Sequence, residues 1–378
     1  MNFFIIAGEA SGDRLGAALM AALRDIHPNA TFQGVGGALM AAQGLDSLFA
    51  MEELSVMGII EVLPKYRALK RRIAQTAAAA LAANPDALIT IDSPDFCLRV
   101  AGIVKSARPA LRTIHYVAPS VWAWRPKRAV KMARVIDHVL ALLPFEPPLM
   151  QAAGMSCDFV GHPVVAEPLA SPAEIAALQG DGPLILVLPG SRRGEVARLA
   201  PIFGQVLARV KSTHPNARAV LPTLRGVEGL VKTLTADWPI TPQIITDGPQ
   251  KRGAFAAADV ALAASGTVSL ELAANDCPMV IAYDMNRLTL WLMRRAALVD
   301  TVTLVNLVSD TRVIPEFIGE NCRADLIAPA LLDVLANPSR QRAAMAATMR
   351  QLGRGGIDPA QRAARSVLSA LDGRKLPA

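Results

Sequence analysis

Two kinds of turn in this chain carry residues able to do chemistry, and their charges are opposite. Leu188-Pro-Gly-Ser-Arg-Arg-Gly-Glu195 follows the apolar run Leu184–Leu188 and precedes a helical pattern over Glu195–Lys211. Gly190 lets the backbone approach a ligand, Ser191 adds a hydroxyl, and free N–H groups at a strand-to-helix join point at an anion. Arg192 and Arg193 add fixed positive charge suited to phosphate oxygens. An ordinary βα bend with solvated arginines has the same spacing. A second helix start in this half is opened by Ser265, Gly266 and Thr267. Glu271, one turn further on, is suited to accept hydrogen bonds from ribose hydroxyls.

The acidic turns lie in the first half. Gly8-Glu-Ala-Ser-Gly-Asp13 follows the apolar run Asn2–Ala7, and Asp92-Ser-Pro-Asp-Phe96 follows Ala87–Ile91. Acids at a helix start discourage phosphate and suit hydroxyl groups such as those of a sugar. Asp92 or Asp95 is placed to act as a general base, with Glu9 and Asp13 nearby in kind. Helix capping, by Ser11 or Asp13 in the first turn and by an aspartate in the second, is the alternative. A nucleotide donor in one half and a hydroxyl acceptor with its base in the other describe glycosyl transfer. The chain has no Asp-x-Asp metal motif, so arginine and helix starts would have to stabilise a leaving diphosphate. It lacks GxxxxGK[ST], which argues against an ATPase. Gly34-Val-Gly-Gly37 lacks the later glycine of a dinucleotide fingerprint, which argues against a dehydrogenase.

Strand–helix alternation must position these turns. Asn2–Ala7, Ala87–Ile91, Arg112–Val117 and His138–Leu143 read as buried strands in the first half. Leu184–Leu188, Ala219–Leu221, Gln243–Thr246, Val260–Ala264 and Met279–Tyr283 do so in the second. Helical patterns separate them, a helix is expected near Glu316, and a last one spans Pro359–Leu371. The expected fold is α/β, with two Rossmann-like doubly wound domains facing across a cleft. The domains are placed at 1–164 and 165–354, with a C-terminal helix in 355–378 packing back on the first. Val164–Pro183, rich in Pro, Ala, Ser and Gly, reads as the linker.

Two stretches of the first half mix apolar and basic residues. Val62–Ile73 alternates Val62, Leu63 and Leu69 with bases such as Lys70, at helical spacing. Such a helix suits a membrane surface, or a core face backed by a solvated basic face. The turn Ala118–Arg128 holds Trp122 and Trp124 among three bases. Those aromatics could stack on a nucleotide or sit at a membrane interface.

Composition sets the outer bounds. A chain of 378 residues, half of them apolar, is too long for one core and suggests two domains. The formal charge of +7 favours anionic partners. Four scattered cysteines without a CxxC read as reduced thiols, and five histidines show no metal spacing, so no metal is expected. The start of the chain lacks a basic n-region, and no run of about 18 apolar residues predicts a membrane span.

Several motifs together resemble the lipid-A-disaccharide synthase family. They are Gly8-Glu-Ala-Ser-Gly-Asp13, Met57-Gly58-Ile-Ile-Glu61, Ile91-Asp-Ser-Pro-Asp-Phe96 and His115-Tyr-Val-Ala-Pro-Ser-Val-Trp-Ala-Trp124. Leu143-Pro-Phe-Glu146, Gly161-His-Pro163, Leu188–Arg192 with Glu195, and Ala264–Thr267 with Glu271 complete the set. The resemblance covers nearly the whole chain. It implies an inverting, metal-independent GT-B glycosyltransferase of family 19, without a cofactor. Its substrates would be UDP-2,3-diacylglucosamine and 2,3-diacylglucosamine 1-phosphate, its products UDP and the β-1,6-linked disaccharide of lipid A. Asp92 then matches the base acting on the acceptor 6-hydroxyl, with Glu9 shaping that site. Arg192 matches the diphosphate-binding arginine, Glu271 the ribose-binding acid, and Asn306 a donor-site asparagine. Met57, Gly58, Val62, Leu63, Leu69, Lys70, Trp122 and Trp124 fall to the acceptor and membrane side. The resemblance implies a homodimer on the cytoplasmic face of the inner membrane, and no nucleic acid. Two positions depart from the family: Val305 stands for a proline beside Asn306, and Gly319 for a glutamine after Pro315-Glu-Phe317. The runner-up is another GT-B transferase or epimerase acting on UDP-N-acetylglucosamine. A basic protein binding nucleic acid or membrane is a third reading, but it leaves the acids at two separate strand ends unexplained.

Overall fold

The computed structural model describes residues 1–54 and 59–373, and the chain divides into two compact units. Unit 1 is Met1–Pro163 with Gly355–Ala378, and unit 2 is Val164–Arg354.

Unit 1 opens with β1 (Asn2–Ala7), α1 (Ala10–Ile26), β2 (Thr31–Val35), α2 (Ala38–Ala42) and α3 (Ile59–Ala83). It continues through β3 (Ala87–Ile91), α4 (Pro94–Ala107), β4 (Arg112–Tyr116) and α5 (Lys127–Met132). The strands β5 (His138–Ala141) and β6 (Ser156–Phe159) flank α6 (Pro147–Ala152). All six strands are parallel, in the order β2-β1-β3-β4-β5-β6. The order reverses between β1 and β3, where Ala7 pairs with Ile91. Gly8 and Asp92 therefore leave adjacent strands side by side, at the place where such sheets take ligands.

The inner strands β1 and β3 are mostly apolar because both of their faces are covered, while the edge strand β2 alternates exposed and buried residues. Phe3 and Ile5 pack with α1, while Phe4 and Ile6 pack with α3 and α4. Burial of each of these four side chains stabilises the unit by roughly 2 kcal/mol. Gly34 on β2 has φ +143°, and a Cβ there would lie 1.9 Å from the Ile5 carbonyl oxygen, so only glycine fits this close strand.

Unit 2 begins with α7 (Pro172–Ala176), β7 (Leu184–Leu188), α8 (Arg193–Thr213), β8 (Arg218–Pro222) and α9 (Glu228–Thr235). Next come β9 (Gln243–Ile245), α10 (Gly248–Ala257), β10 (Val260–Ala263), α11 (Val268–Ala274) and β11 (Met279–Tyr283). The unit closes with α12 (Arg287–Ala296), α13 (Leu304–Ser309), β12 (Glu316–Ile318), α14 (Ala324–Ala336) and α15 (Ser339–Gln351). Its sheet is also six-stranded and parallel, ordered β12-β11-β10-β7-β8-β9. Here the reversal falls between β7 and β10, with Leu188 opposite Ala263.

The last helix, α16 (Pro359–Asp372), returns to unit 1 and packs on α1. Its Ser366 hydroxyl lies 2.8 Å from His138 Nε2 and donates to Asp158 at 2.7 Å. Gln361 donates to Asp25 across α1 at 2.8 Å.

Several elements differ from the sequence expectation. Residues 316–318 form an edge strand rather than a helix, because Ile281 pairs with Glu316. The linker stretch holds α7, closed by a capping box between Ser171 and Glu174. Helix α1 starts at Ala10 with Glu9 as its N-cap, so neither Ser11 nor Asp13 caps it. Asp13 instead reaches across to α2, accepting N–H bonds from Gly37 at 2.8 Å and from Leu39 and Met40 at 3.0 Å. That carboxylate is committed to holding two helices together.

Candidate functional site

The carboxyl edge of the unit 1 sheet is strained where the acids sit. Asp92 has φ +48°, Ser93 φ +44° and Val117, just past β4, φ +83°. Left-handed backbone at a β-branched valine is a true outlier, and such strain clusters at functional sites. The Asp92 N–H still donates to the Tyr116 carbonyl at 3.0 Å, so the turn begins only after the ladder ends. A Cβ on Gly8 would lie 2.5 Å from Ser93 Oγ, so a glycine is what lets the two turns meet. Burial raises the Asp92 carboxyl above the usual aspartate range, opposed by the Ser93 N–H. Asp95 lies exposed in the first turn of α4, and Glu9 stands on the neighbouring turn as the extended N-cap of α1.

The tryptophan turn follows β4. Trp122 Nε1 donates to Glu146 Oε1 at 3.2 Å, and its ring meets Phe145 edge-on at 5.4 Å. Trp124 is 39% exposed, with the Arg125 guanidinium 4.1 Å from its ring centre. Glu146, a residue given no role in the sequence reading, is only 3% exposed. Burial pushes its carboxyl up to about 7, against bonds from the Leu143 and Leu142 N–H groups and Trp122. His115 is buried against the Thr90 hydroxyl at 2.7 Å, and burial lowers it to about 4, so it stays neutral.

On the basic–apolar stretch, Met57 and Gly58 lie outside the described residues, as do the side chains of Val62 and Leu63. Leu69 packs on the unit 1 core and Ile73 is buried, while Lys70 and Arg71 face outward. The described part of α3 thus spends its apolar face on the core.

Unit 2 holds a cavity of about 500 Å³ at the carboxyl edge of its sheet. Gly190, Ser191, Arg192, Glu195, Ser265, Gly266, Thr267 and Glu271 all line it. Thr223 after β8, Thr246 after β9, and Asp247, Lys251 and Phe255 from the start and body of α10 complete the wall. This size and this mix of apolar wall and convergent polar groups suit a small polar ligand.

The central turn differs from expectation in one respect. Its Ser191 and Arg192 N–H groups are not free for an anion, because both donate to Glu195 Oε2, at 3.2 and 3.3 Å. The other oxygen of Glu195 accepts from Arg192 Nη1 at 3.1 Å and from the Tyr283 hydroxyl at 3.3 Å. Gly190, at φ +109°, leaves room for that carboxylate. Glu195 therefore folds the turn and aims Arg192.

Asn306 does not line the cavity. It is 1% exposed, its Nδ2 donates to the Ile314 carbonyl at 3.0 Å, and its Oδ1 accepts the Ile314 N–H at 3.0 Å. Glu316 joins the same brace by accepting from the Thr303 N–H at 2.8 Å. Gly319 has φ +62°, and a Cβ there would lie 2.2 Å from Leu290 Cδ2, which accounts for a glycine at this position.

The sequence reading passed over Lys251. Its Nζ pairs with Glu271 Oε2 at 2.8 Å and lies 5.1 Å from the Phe255 ring centre. The Lys251/Phe255 spacing on a helix opened by Asp247 was the available signal.

Solved structures share this architecture. The UDP-GlcNAc 2-epimerase of Neisseria meningitidis, solved bound to UDP-GlcNAc, aligns with a TM-score of 0.67 at 11% identity, covering 99% of this chain and all (100%) of that one. A glycosyltransferase of Rickettsia africae aligns at 0.60 and 12% identity, covering 99% of each. The fold is that of the GT-B glycosyltransferases and epimerases, two parallel doubly wound units. Residues 3–368 match the lipid-A-disaccharide synthetase family. The lipid-A-disaccharide synthase of Ruegeria pomeroyi is 59% identical over 99% of this chain and 96% of its own length. That of Rhodospirillum centenum is 44% identical over 98% and 95%. The chain belongs to the lipid-A-disaccharide synthase family.

Proposed function

We infer that this chain transfers 2,3-diacylglucosamine from UDP to the 6-hydroxyl of 2,3-diacylglucosamine 1-phosphate. The products are the β-1,6-linked disaccharide 1-phosphate of lipid A and UDP. The observation that carries the reading is the unit 2 cavity, where Arg192 and Glu271 line one space. A diphosphate needs the first and a ribose the second. Membership of the family supplies the identity of the two sugars.

In this reading Asp92 accepts the proton of the attacking hydroxyl, with Glu9 and Asp95 shaping the same edge. The acceptor oxygen forms a bond to the donor anomeric carbon from the face opposite UDP. The bond from that carbon to the diphosphate breaks, and Arg192 carries the charge left on UDP. Ser191, Ser265, Gly266 and Thr267 line the donor space, and Glu195 holds Arg192 in place. Trp122 and Trp124 belong to the acceptor side. The likeness to epimerases at 11% identity speaks to fold alone and adds nothing to the alternative reaction.

Radiolabelled UDP-diacylglucosamine incubated with diacylglucosamine 1-phosphate is expected to yield labelled disaccharide. Turnover of UDP-N-acetylglucosamine without disaccharide would sink the reading.

Both substrates carry acyl chains, so the enzyme works at a membrane surface. Among the described residues no helix is long and apolar enough to cross a membrane. Family membership supports reading the attachment as peripheral, on the cytoplasmic face of the inner membrane, by a homodimer. Lys70 and Arg71 on α3 and Lys131 on α5 are exposed bases for anionic lipid, with exposed Val130 beside Lys131. Replacing the three bases with alanine should lower partitioning onto anionic liposomes by about 10²-fold, at roughly 1 kcal/mol per base near such a surface. Unchanged flotation would exclude this face. Light scattering at twice the 40.0 kDa chain mass tests the dimer.

A further inference from the structure

The nucleotide cavity contains a carboxylate where an anionic ligand is expected. Glu271 lines the space that Arg192 enters, and a diphosphate would bring further negative charge beside it. An acid there needs compensation or it repels what the site must hold. Lys251 supplies it, with Nζ 2.8 Å from Glu271 Oε2. The side chain comes from the first turn of α10, which is fixed by the Asp247 carboxylate accepting the Gln250 N–H at 2.8 Å. The Phe255 ring, one turn along the same helix, holds the ammonium from the other side at 5.1 Å. Glu271 sits on α11, a different element, where Asn275 donates to its backbone carbonyl at 2.9 Å. The pair thus ties together the walls of the cavity contributed by α10 and α11.

We infer that Lys251 is a positioning residue for nucleotide selection, neutralising Glu271 and aiming its second oxygen at the ribose hydroxyls. The inference rests on the nucleotide reading of the cavity. With Oε2 occupied by the ammonium, Oε1 is the oxygen left to face the ligand. The ion pair lets the lysine act on the sugar through Glu271. The consequence is a preference for ribonucleotides that depends on Lys251 acting through Glu271.

Calorimetric titration of the full-length protein with UDP, 2′-deoxy-UDP and uridine tests this. In the wild type UDP should bind about tenfold tighter than deoxy-UDP, the usual size of one hydrogen bond to a charged group. In Lys251→Met that ratio should fall towards one, and uridine should weaken by a similar factor. Lys251→Arg keeps a cation within reach of Glu271 and should keep most of the ratio. If Lys251→Met loses UDP affinity but keeps the ratio and the uridine affinity, the ammonium serves the diphosphate directly and the inference is overturned. If Lys251→Met leaves all three affinities unchanged, it is overturned as well. If the wild type shows no preference, or Glu271→Gln keeps it, the ribose role of Glu271 fails first and the inference falls with it.

Discussion

Asp92→Asn is expected to lower kcat by about 10³-fold, the usual share of a positioned general base. The change keeps the shape of the side chain and removes its basicity. Strain at Asp92 and Ser93, close packing of Ser93 on Gly8, and burial all converge on this carboxylate. Because burial raises its pKa in the folded protein, kcat/KM should fall on the acid side at a pH above the usual aspartate range. That limb should vanish in the variant. The stability sign runs the other way. A carboxyl whose pKa is raised on folding favours the fold below its unfolded pKa, and the benefit is lost as pH rises through the folded value. At neutral pH the ionised Asp92 therefore costs stability, and the asparagine variant should melt no lower than the wild type. A variant with near-normal turnover would move the base role to Asp95 or Glu9.

Arg192→Ala should lower kcat by about 10²-fold, as expected when one charged group is removed from a leaving diphosphate. The donor KM should rise too, since the same contact holds the ground state. Arg192→Lys should recover only part of the loss, because an ammonium cannot reproduce the planar fork of a guanidinium. Initial rates across donor concentration check both variants. A change in KM alone, with kcat intact, would leave Arg192 a binding group with no part in the step. The Ser191 and Arg192 N–H groups already serve Glu195, so the role of Arg192 rests on its guanidinium, whose Nη1 is held by Glu195 Oε1 at 3.1 Å.

Much of the architecture was legible in the string. The strands β1, β3, β7 and β11 read at their observed bounds because each is a mostly apolar run, interrupted only by Asn2 and Thr90, and buried over nearly its whole length. The two glycine turns were legible because only a few residue types permit a tight strand-to-helix join. What escaped depends on side chains meeting across distance. Spacing allowed Asp13 to cap its own helix; the fold hands it to α2, 24 residues away at Gly37. The brace around Asn306 closes through Ile314 and Glu316, and β12 exists only because the edge of β11 offers it partners. Lys251 and Glu271 lie 20 residues apart, and no local pattern links them.

The return of α16 to unit 1 has a consequence for the order of synthesis. Unit 2 is one continuous stretch, Val164–Arg354, and all of it is synthesised before α16. Until then α1 lacks the helix that covers it, and His138 and Asp158 lack Ser366. The first unit begun is thus the last one finished. A chain cut short by its final twenty or so residues would carry a whole second unit and an unsealed first one, with the apolar side of α1 open to water. Quality control acting on such a fragment would read the damage at the end of the chain opposite to where the cut was made.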